Sequence, residues 1–264
     1  MDLMDFHRLH HGDAPLLLPN AWDHASAVAL AAEGFPAIGT TSLGVAASAG
    51  LPDGAAATRD RTLALALALG SEPFLLSVDA EGGFSDDPDE VGEFARELYA
   101  VGAAGINLED GLGDTALHAA KIAAVRAAAP GLFINARTDT YWLGDGNGNG
   151  DDTDRDTRSR LDAYRQAGAD GVFVPGLTDP DAVASLVRFL DVPLNILYSP
   201  TGPTVAHLGD LGVSRVSLGS LLYRRALGAA LDAATGVRSG RAPSGRTPTY
   251  GEVSSFARTE RGGH

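Results

Sequence analysis

The 264-residue chain contains no cysteine and a single lysine, Lys121. The absence of cysteine excludes disulfides, thiolate nucleophiles, zinc–cysteine sites and iron–sulfur clusters. With one lysine, Schiff-base chemistry is excluded at every other position, which argues against a lysine-dependent aldolase. Any catalytic chemistry must therefore use oxygen and nitrogen groups.

Basic residues and long apolar runs are also scarce. The 34 acidic side chains outnumber the 20 basic ones, the formal net charge is −14 and the isoelectric point is about 4.7. This balance argues against binding to nucleic acid. The apolar runs are too short to cross a bilayer, and the N-terminus lacks the pattern of a secretory signal. We expect a cytoplasmic protein without a membrane or nucleic-acid partner.

The remaining composition, 44% hydrophobic and 20% charged, is typical of a folded protein. Short β-rich runs alternate with Ala/Leu-rich stretches of helical periodicity, which predicts a parallel sheet covered by helices. Eight such units favour an α/β protein of the (β/α)8 barrel type over an open doubly wound sheet. We predict one barrel domain over residues 1–236 and a partly ordered extension over 237–264. The predicted strands are 16–19, 37–40, 74–78, 105–108, 132–136, 171–174, 194–197 and 215–218.

Acidic side chains follow two neighbouring predicted strands, at the end of a barrel where active sites lie. Asp79 and Glu81 follow the third strand, and Glu109 and Asp110 follow the fourth. Four carboxylates in one barrel mouth would repel one another unless a cation neutralised them. Oxygen ligands without cysteine or a histidine pair favour Mg²⁺ or Mn²⁺ over zinc. The alternative is that these are solvated loop acids.

Arg137 ends the fifth predicted strand, within an otherwise apolar run. A buried arginine requires an anion, and its planar guanidinium suits a substrate carboxylate or phosphonate. The alternative is an internal salt bridge to Asp79, Glu109 or Asp139, and the two roles can coexist.

Thr41, Ser42 and Leu43 follow the second predicted strand and offer hydroxyls and backbone amides. Such groups can bind an oxyanion or a carboxylate. Alone, this stretch is a weak signal.

Two further patterns are weaker. The segment 145–156, with Asp145, Asn147, Asn149 and Asp156, matches the spacing of a calcium-binding loop except for aspartate at its last position. A mobile acidic lid after the fifth strand is the alternative. A cluster of histidines near the N-terminus is predicted to be exposed and without a role: His7, His10 and His11.

Five segments carry a family resemblance: GTTSLGVAASAGLPD at 39–53, SVDAEGGF at 77–84, GINLEDG at 105–111, NARTD at 135–139 and RVSLGS at 215–220. Their order and spacing, over residues 15–236, resemble the isocitrate lyase and phosphoenolpyruvate mutase superfamily, with its 2-methylisocitrate lyase-like and phosphonomutase-like proteins. The resemblance implies a (β/α)8 barrel whose last helix is exchanged between subunits. It also implies a homo-oligomer built as a dimer of dimers, and Mg²⁺ that holds an α-oxo carboxylate.

The resemblance also implies roles for single residues. Asp79 matches the main metal-binding aspartate, Asp53 matches an aspartate that faces the metal, and Glu81 and Glu109 match acids that hold the metal through water. Arg137 matches the arginine that contacts substrate. The carboxylate of the oxo acid is held by the segment that matches Thr41, Ser42 and Leu43. Metal and amide donors together would stabilise a pyruvate enolate.

Departures from the family pattern narrow the expected activity. The loop at 111–121, GLGDTALHAAK, lacks the cysteine of isocitrate and methylisocitrate lyases, which argues against those two activities. It contains Asp114 and Thr115 but not the gating lysine of the mutase and phosphonopyruvate hydrolase, and Pro175 stands where the mutase has histidine.

We therefore predict a Mg²⁺-dependent lyase, with Mn²⁺ as a substitute ion, that cleaves a carbon–carbon bond of an α-oxo or hydroxy dicarboxylate. Decarboxylation demands the least of the site, because it needs only an electron sink and orientation. The catalytic candidates are Arg137, Glu109 and Tyr198, the last as a proton donor to the enolate or, alternatively, a packing residue. Two alternatives to this lyase remain open. One is a phosphonate P–C bond mutase or hydrolase, and the other is a non-catalytic relative that binds an oxo acid.

Overall fold

The computed structural model describes residues 4–144 and 150–257. In this part of the chain, nine parallel strands alternate with helices. The strands are β1 (Leu16–Leu18), β2 (Asn20–Ala21), β3 (Ala37–Thr40), β4 (Leu75–Asp79), β5 (Ala103–Glu109), β6 (Phe133–Arg137), β7 (Gly171–Val174), β8 (Leu194–Leu197) and β9 (Arg215–Ser217). The helices are α1 (Met4–Leu9), α2 (His24–Ala32), α3 (Ser42–Ser48), α4 (Arg59–Leu69), α5 (Pro88–Ala100), α6 (Thr115–Ala128), α7 (Gly150–Gln166), α8 (Pro180–Phe189), α9 (Val205–Asp210), α10 (Leu221–Arg238) and α11 (Tyr250–Ser255).

The sheet closes through the N-terminal strand, which Pro19 divides into β1 and β2. β1 pairs with β9 and β2 pairs with β3, so one chain segment joins the two ends of the sheet. Asn20 secures the junction: its Oδ1 accepts hydrogen bonds from the N–H groups of Leu218 and Gly219 at 3.1 and 2.8 Å, and its Nδ2 donates to the Thr40 carbonyl at 2.7 Å. The predicted (β/α)8 barrel is confirmed.

The amphipathic helix α5 illustrates how the helices cover the barrel. The Asp87 carboxylate caps its N-terminus by accepting from the Asp89 N–H at 2.9 Å, and Pro88 occupies the first turn, where no N–H is needed. Its buried residues Val91, Phe94 and Leu98 join the main hydrophobic core. Burying side chains of this size stabilises a fold by about 1.5–3 kcal/mol each.

Helix α1 closes the N-terminal end of the barrel, opposite the mouth where the strands end. Its Phe6 is fully buried and packs edge-on against Phe133, with ring centroids 5.5 Å apart. Gly105 makes this approach possible, because a Cβ there would lie 2.6 Å from the Phe6 ring. His10 stacks on Phe133 at 4.1 Å and is 3% exposed, so the prediction that His10 lies at the surface is wrong.

Two helices begin within predicted site segments: α3 starts directly after Thr41, and α7 starts at Gly150, inside the predicted calcium loop. Asp156 lies on α7 and forms an ion pair with Arg160 at 3.0 Å. Asp145, Asn147 and Asn149 lie outside the described residues, so the predicted calcium loop stays untested.

The C-terminal boundary predicted at residue 236 falls inside the last turn of α10. Beyond α10 the described chain is exposed and includes α11. The division into a barrel and an extension stays a prediction. Over residues 4–144 and 150–257, none of the helices combines the length and the apolar character needed to span a membrane.

Candidate active site

A cavity of about 160 Å³ opens at the carboxyl ends of the strands. It brings together most of the residues that the sequence predicted for substrate and metal: Thr41, Ser42, Leu43, Asp53, Asp79, Arg137 and Tyr198. Glu81 and Glu109 instead line an adjoining cavity of about 400 Å³, between the loops that follow β4 and β5. The predicted residues therefore form one cluster that extends across two neighbouring openings.

Ser42 joins the two aspartates of the cluster. Its backbone N–H donates to Asp79 Oδ2 at 3.0 Å, and its side chain lies near Asp53 and acts to lower the pKa of that carboxyl. The Asp79 N–H in turn donates to Thr40 Oγ1 at 2.8 Å, which fixes the end of β4. Partial burial raises the pKa of Asp53, and the nearby charge of Asp79 raises it further. The pair is therefore a small concentration of negative charge.

Only part of the Thr41–Leu43 segment remains available to a substrate. The Thr41 N–H already donates to the Ala21 carbonyl at 3.1 Å, and the Ser42 N–H is taken by Asp79. Gly44 lets α3 pack tightly beneath this segment, because a Cβ there would lie 2.8 Å from both Thr41 and Trp22. The N–H groups of Thr41 and Ser42 therefore already have partners within the protein.

Glu81 is 2% exposed, and neighbouring groups hold both of its carboxylate oxygens. Thr58 Oγ1 donates to Oε1 at 2.5 Å, and the Ala56 N–H donates to Oε2 at 3.2 Å. Burial raises the pKa of Glu81, and these two hydrogen bonds oppose that rise. Glu81 therefore anchors the loop 54–58 over the site.

Arg137 forms the internal salt bridge that was the alternative to substrate binding. Nη1 lies 2.8 Å from Glu109 Oε2, and both Nε and Nη2 lie 2.7 Å from Asp139 Oδ1. A guanidinium has five N–H donors, so donors remain for a substrate anion. Burial raises the pKa of Glu109 to about 8 although Arg137 lowers it, and the charge of Asp79 contributes to the rise. The Glu109 carboxylate therefore lies among other acids, with Arg137 as its compensating charge.

Asp110 lines the same cavity as Glu81 and Glu109, but its carboxylate is buried and held by α7, so the prediction of four converging carboxylates is wrong for this side chain. Its Oδ2 accepts from Tyr164 Oη at 2.8 Å and from Arg160 Nη1 at 3.2 Å, and its side chain is fully buried. Burial alone would raise the pKa of Asp110. Hydrogen bonds, chiefly from backbone N–H groups, outweigh this effect and hold that pKa below its usual range. Asp110 ties the end of β5 to α7.

The donor set fits a hard divalent cation held largely through water. Within residues 4–144 and 150–257, no three His, Cys, Asp or Glu side chains converge closely enough to ligate one ion directly. Burial raises the pKa values of Asp53, Glu81 and Glu109, and the charge of Asp79 raises them further, as expected for carboxylates crowded together. Mg²⁺ commonly uses one or two protein carboxylates and keeps several waters.

Sequence reasoning missed two residues of the outer wall of the cavity, Trp142 and Arg224. Trp142 follows β6 and is 54% exposed. Arg224 lies on the first turns of α10, and nothing in its neighbourhood along the chain distinguishes it from the other arginines. Tyr198 is half-buried, lines the cavity and also packs against the core, so both of its predicted roles remain compatible with its position.

Comparisons with known proteins identify the family to which the chain belongs. The family model for phosphoenolpyruvate phosphomutase matches residues 6–238. The chain belongs to this family of lyase- and mutase-type enzymes, which confirms the resemblance drawn from the five segments.

Individual relatives are similar over different lengths. An uncharacterised protein of Mycobacterium tuberculosis is 49% identical over 241 residues, 90% of each chain. The chain is also similar to the crystal structure of a putative lyase/mutase from Burkholderia cenocepacia J2315. The TM-score is 0.85 and the identity is 34%, over 97% of this chain and 95% of that chain. An oxaloacetate decarboxylase of Bradyrhizobium is 31% identical over 51% of this chain and 47% of its own length.

Proposed function

We propose that the protein is a Mg²⁺-dependent carbon–carbon lyase that acts on an α-oxo dicarboxylate, with decarboxylation as its favoured reaction. The observation that carries the proposal is the arrangement around Ser42. Its backbone N–H holds Asp79, its side chain lies near Asp53, and both acids line the same cavity as Arg137. A cation-binding pair of acids and an anion-binding guanidinium thus face one small volume.

Asp79 would hold the cation directly, and Asp53, Glu81 and Glu109 would hold it through water. A bound Mg²⁺ supplies a Lewis acid that draws electrons from the oxo group of the substrate. The chain itself supplies orientation: the spare N–H donors of Arg137 and the first turn of α3 receive the carboxylate next to that group. Fixed donors of this kind stabilise developing negative charge without reorganisation.

The outer part of the cavity would receive the second carboxylate. Arg224 is the cationic side chain at this end, whereas Arg137 is largely engaged by Glu109 and Asp139. Tyr198 lines the same cavity and would supply a hydroxyl for protonating the three-carbon product. The wall contributed by Trp142, Phe173 and Pro175 is apolar and limits water at the bond that breaks.

Decarboxylation is favoured because the chain lacks the two residue types that the family resemblance would supply for a second substrate half. It has no cysteine, and Pro175 lines the wall where the mutase resemblance would require histidine. The similarity to an oxaloacetate decarboxylase supports the same choice.

The test is a proton NMR assay of the purified protein with Mg²⁺ and, separately, oxaloacetate, phosphonopyruvate, dimethylmalate and methylisocitrate, each against a protein-free blank. We expect pyruvate to form from oxaloacetate. We expect Asp79→Ala to reduce the rate by a factor of about 10² or more. The matched control is Asp89→Ala, an exposed aspartate at the start of α5, which should retain the full rate.

Two other results would contradict this assignment. Turnover of phosphonopyruvate in place of oxaloacetate would identify a P–C bond enzyme. If none of the four compounds is turned over but oxalate binds in a Mg²⁺-dependent way, the protein is a non-catalytic binding protein.

A further inference from the structure

Arg215, on β9, points into the barrel and is fully buried. Its hydrogen-bond partners are neutral: Nε donates to Ser217 Oγ at 3.0 Å, and Nη2 donates to Asn107 Oδ1 at 3.1 Å across the barrel. Nη1 has no hydrogen-bond partner. Among the described residues, Arg215 forms no ion pair, which sets it apart from the buried Arg137.

The guanidinium of Arg215 lies directly beneath the floor of the candidate active site. Both of its partners, Asn107 and Ser217, line the cavity of about 160 Å³. Asn107 is also the neighbour of Asp79 in the pairing of β4 with β5. The buried cation is therefore separated from the proposed cation-binding aspartate by one layer of side chains.

The hydrogen bonds of Arg215 are not needed to satisfy its partners. Asn107 Oδ1 also accepts from Asn135 Nδ2 at 2.8 Å, and Ser217 Oγ is within 3.0 Å of Asn195 Nδ2. The interior of such barrels is usually filled by branched apolar side chains, and an unpaired buried charge destabilises a fold. Local structure therefore gives no reason for arginine at this position.

Arg215 nevertheless keeps its charge. Burial lowers its pKa to about 9, and the charge of Asp79 opposes that decrease. At neutral pH the guanidinium is protonated, and in a poorly polarisable interior its field reaches the cavity with little screening.

We propose that Arg215 is a positioning residue whose fixed charge acts on the cavity from below, favouring an anionic oxo acid and opposing a divalent cation that arrives alone. The charge makes the cation depend on the anion, because the bound anion compensates the repulsion that the cation meets from Arg215. The identity of the anion in this inference rests on the proposed function. The effect of Arg215 on cation affinity does not.

The test compares Arg215→Met with the natural protein in three measurements. Calorimetric titration in saturating Mg²⁺ should show oxalate bound about tenfold more weakly, since a unit charge at this range contributes on the order of a tenfold change. Titration with Mn²⁺ alone should show tighter binding by a similar factor. The Tm should be unchanged or higher, because an apolar side chain replaces an unpaired charge.

The matched control is Arg126→Met, which removes the same charge at the opposite end of the barrel. Arg126 bonds to Asp170 and to the carbonyls of Gly168 and Pro130, in the loops before β6 and β7. This variant should lower the Tm and leave both affinities unchanged. Arg215→Gln, which keeps a polar side chain without the charge, repeats the test if the methionine variant does not fold.

A purely structural role predicts a different pattern, in which the Tm and both affinities fall together. That pattern, or unchanged affinities in both Arg215 variants, would overturn the proposal. If the natural protein binds Mn²⁺ but not oxalate, the proposed function fails, and the tighter Mn²⁺ binding of Arg215→Met still decides the role of Arg215. If it binds neither ion, both proposals fail.

Discussion

His10 exemplifies how a single residue can escape prediction. Three histidines within five positions indicate an exposed cluster, yet the structure buries one of them against Phe133 while His11 stays exposed. The difference depends on how α1 meets the bottom of the barrel, a tertiary contact that leaves no local pattern. His10 Nδ1 contacts the Phe6 carbonyl at 2.8 Å, and Nε2 is buried without a partner.

The buried His10 should make stability depend on pH. Burial lowers its pKa from 6.5 to about 3, and the charge of Arg215 also lowers it. Between these two pH values the unfolded chain binds a proton that the folded chain does not, so stability falls as pH falls below 6.5. The limiting slope is about 1.4 kcal/mol per pH unit. His10→Phe should remove this contribution.

Urea unfolding at pH 7.5 and at pH 5 gives the loss of unfolding free energy on acidification for each protein. When the losses of the natural protein and of His10→Phe are compared, the carboxylate contributions common to both cancel. The loss of stability on acidification should be about 1–2 kcal/mol smaller for His10→Phe. His11→Phe, an exposed neighbour, should behave like the natural protein. Equal losses for all three proteins would contradict the burial of His10.

At the scale of elements, the loops around the site carry backbone strain. Among the described residues, the non-glycine positions with positive φ are Ala56, Glu81, Phe84 and Leu112, at 56°, 47°, 62° and 59°. All lie in the loops that follow α3, β4 and β5. A left-handed conformation costs a non-glycine residue about 1–2 kcal/mol. Such strain is typical of functional loops.

Relieving this strain at Ala56 should stabilise the protein. Ala56 is exposed, and its N–H holds Glu81, an interaction that glycine keeps. We expect Ala56→Gly to raise the free energy of unfolding by about 0.5–1 kcal/mol. Ala55→Gly, one residue earlier and without positive φ, should be neutral or destabilising because it only adds flexibility to the unfolded chain. A lower Tm for Ala56→Gly than for Ala55→Gly would contradict this reading.

The alternation of strands and helices could be predicted because its period and spacing are local properties. The positions of Asp79 and Arg137 followed, since residues at the carboxyl ends of barrel strands share one mouth. Asp110 could not be assigned, because one residue beyond a strand the loop decides where a side chain points. Arg160 and Tyr164, which hold Asp110, lie about 50 residues further along the chain.

At the scale of the whole molecule, α10 leaves apolar side chains uncovered. Leu227 and Leu231, one helical turn apart, are 51% and 59% exposed, and Val237 is 61% exposed. In a family whose resemblance implies an exchanged last helix, this surface predicts a homo-oligomer. The exchange itself and the dimer-of-dimers arrangement stay predictions.

Sedimentation analysis tests the role of α10. We expect the natural protein to be oligomeric and the double variant Leu227→Asp/Leu231→Asp to dissociate, because burying two carboxylates at an apolar interface costs several kcal/mol. Ala123→Asp, at an exposed position of α6, is the matched control and should sediment like the natural protein. A monomeric natural protein would contradict the prediction.

The junction at Asn20 also determines when the site can exist during synthesis. Asn20 lines the cavity, yet one of its partners, Gly219, lies 199 residues further along the chain. At typical elongation rates, about 10–40 s separate the appearance of the two residues at the ribosome. During that interval the first strand has no β9 to pair with, so the nascent chain presents an open sheet edge until almost the entire barrel has been translated.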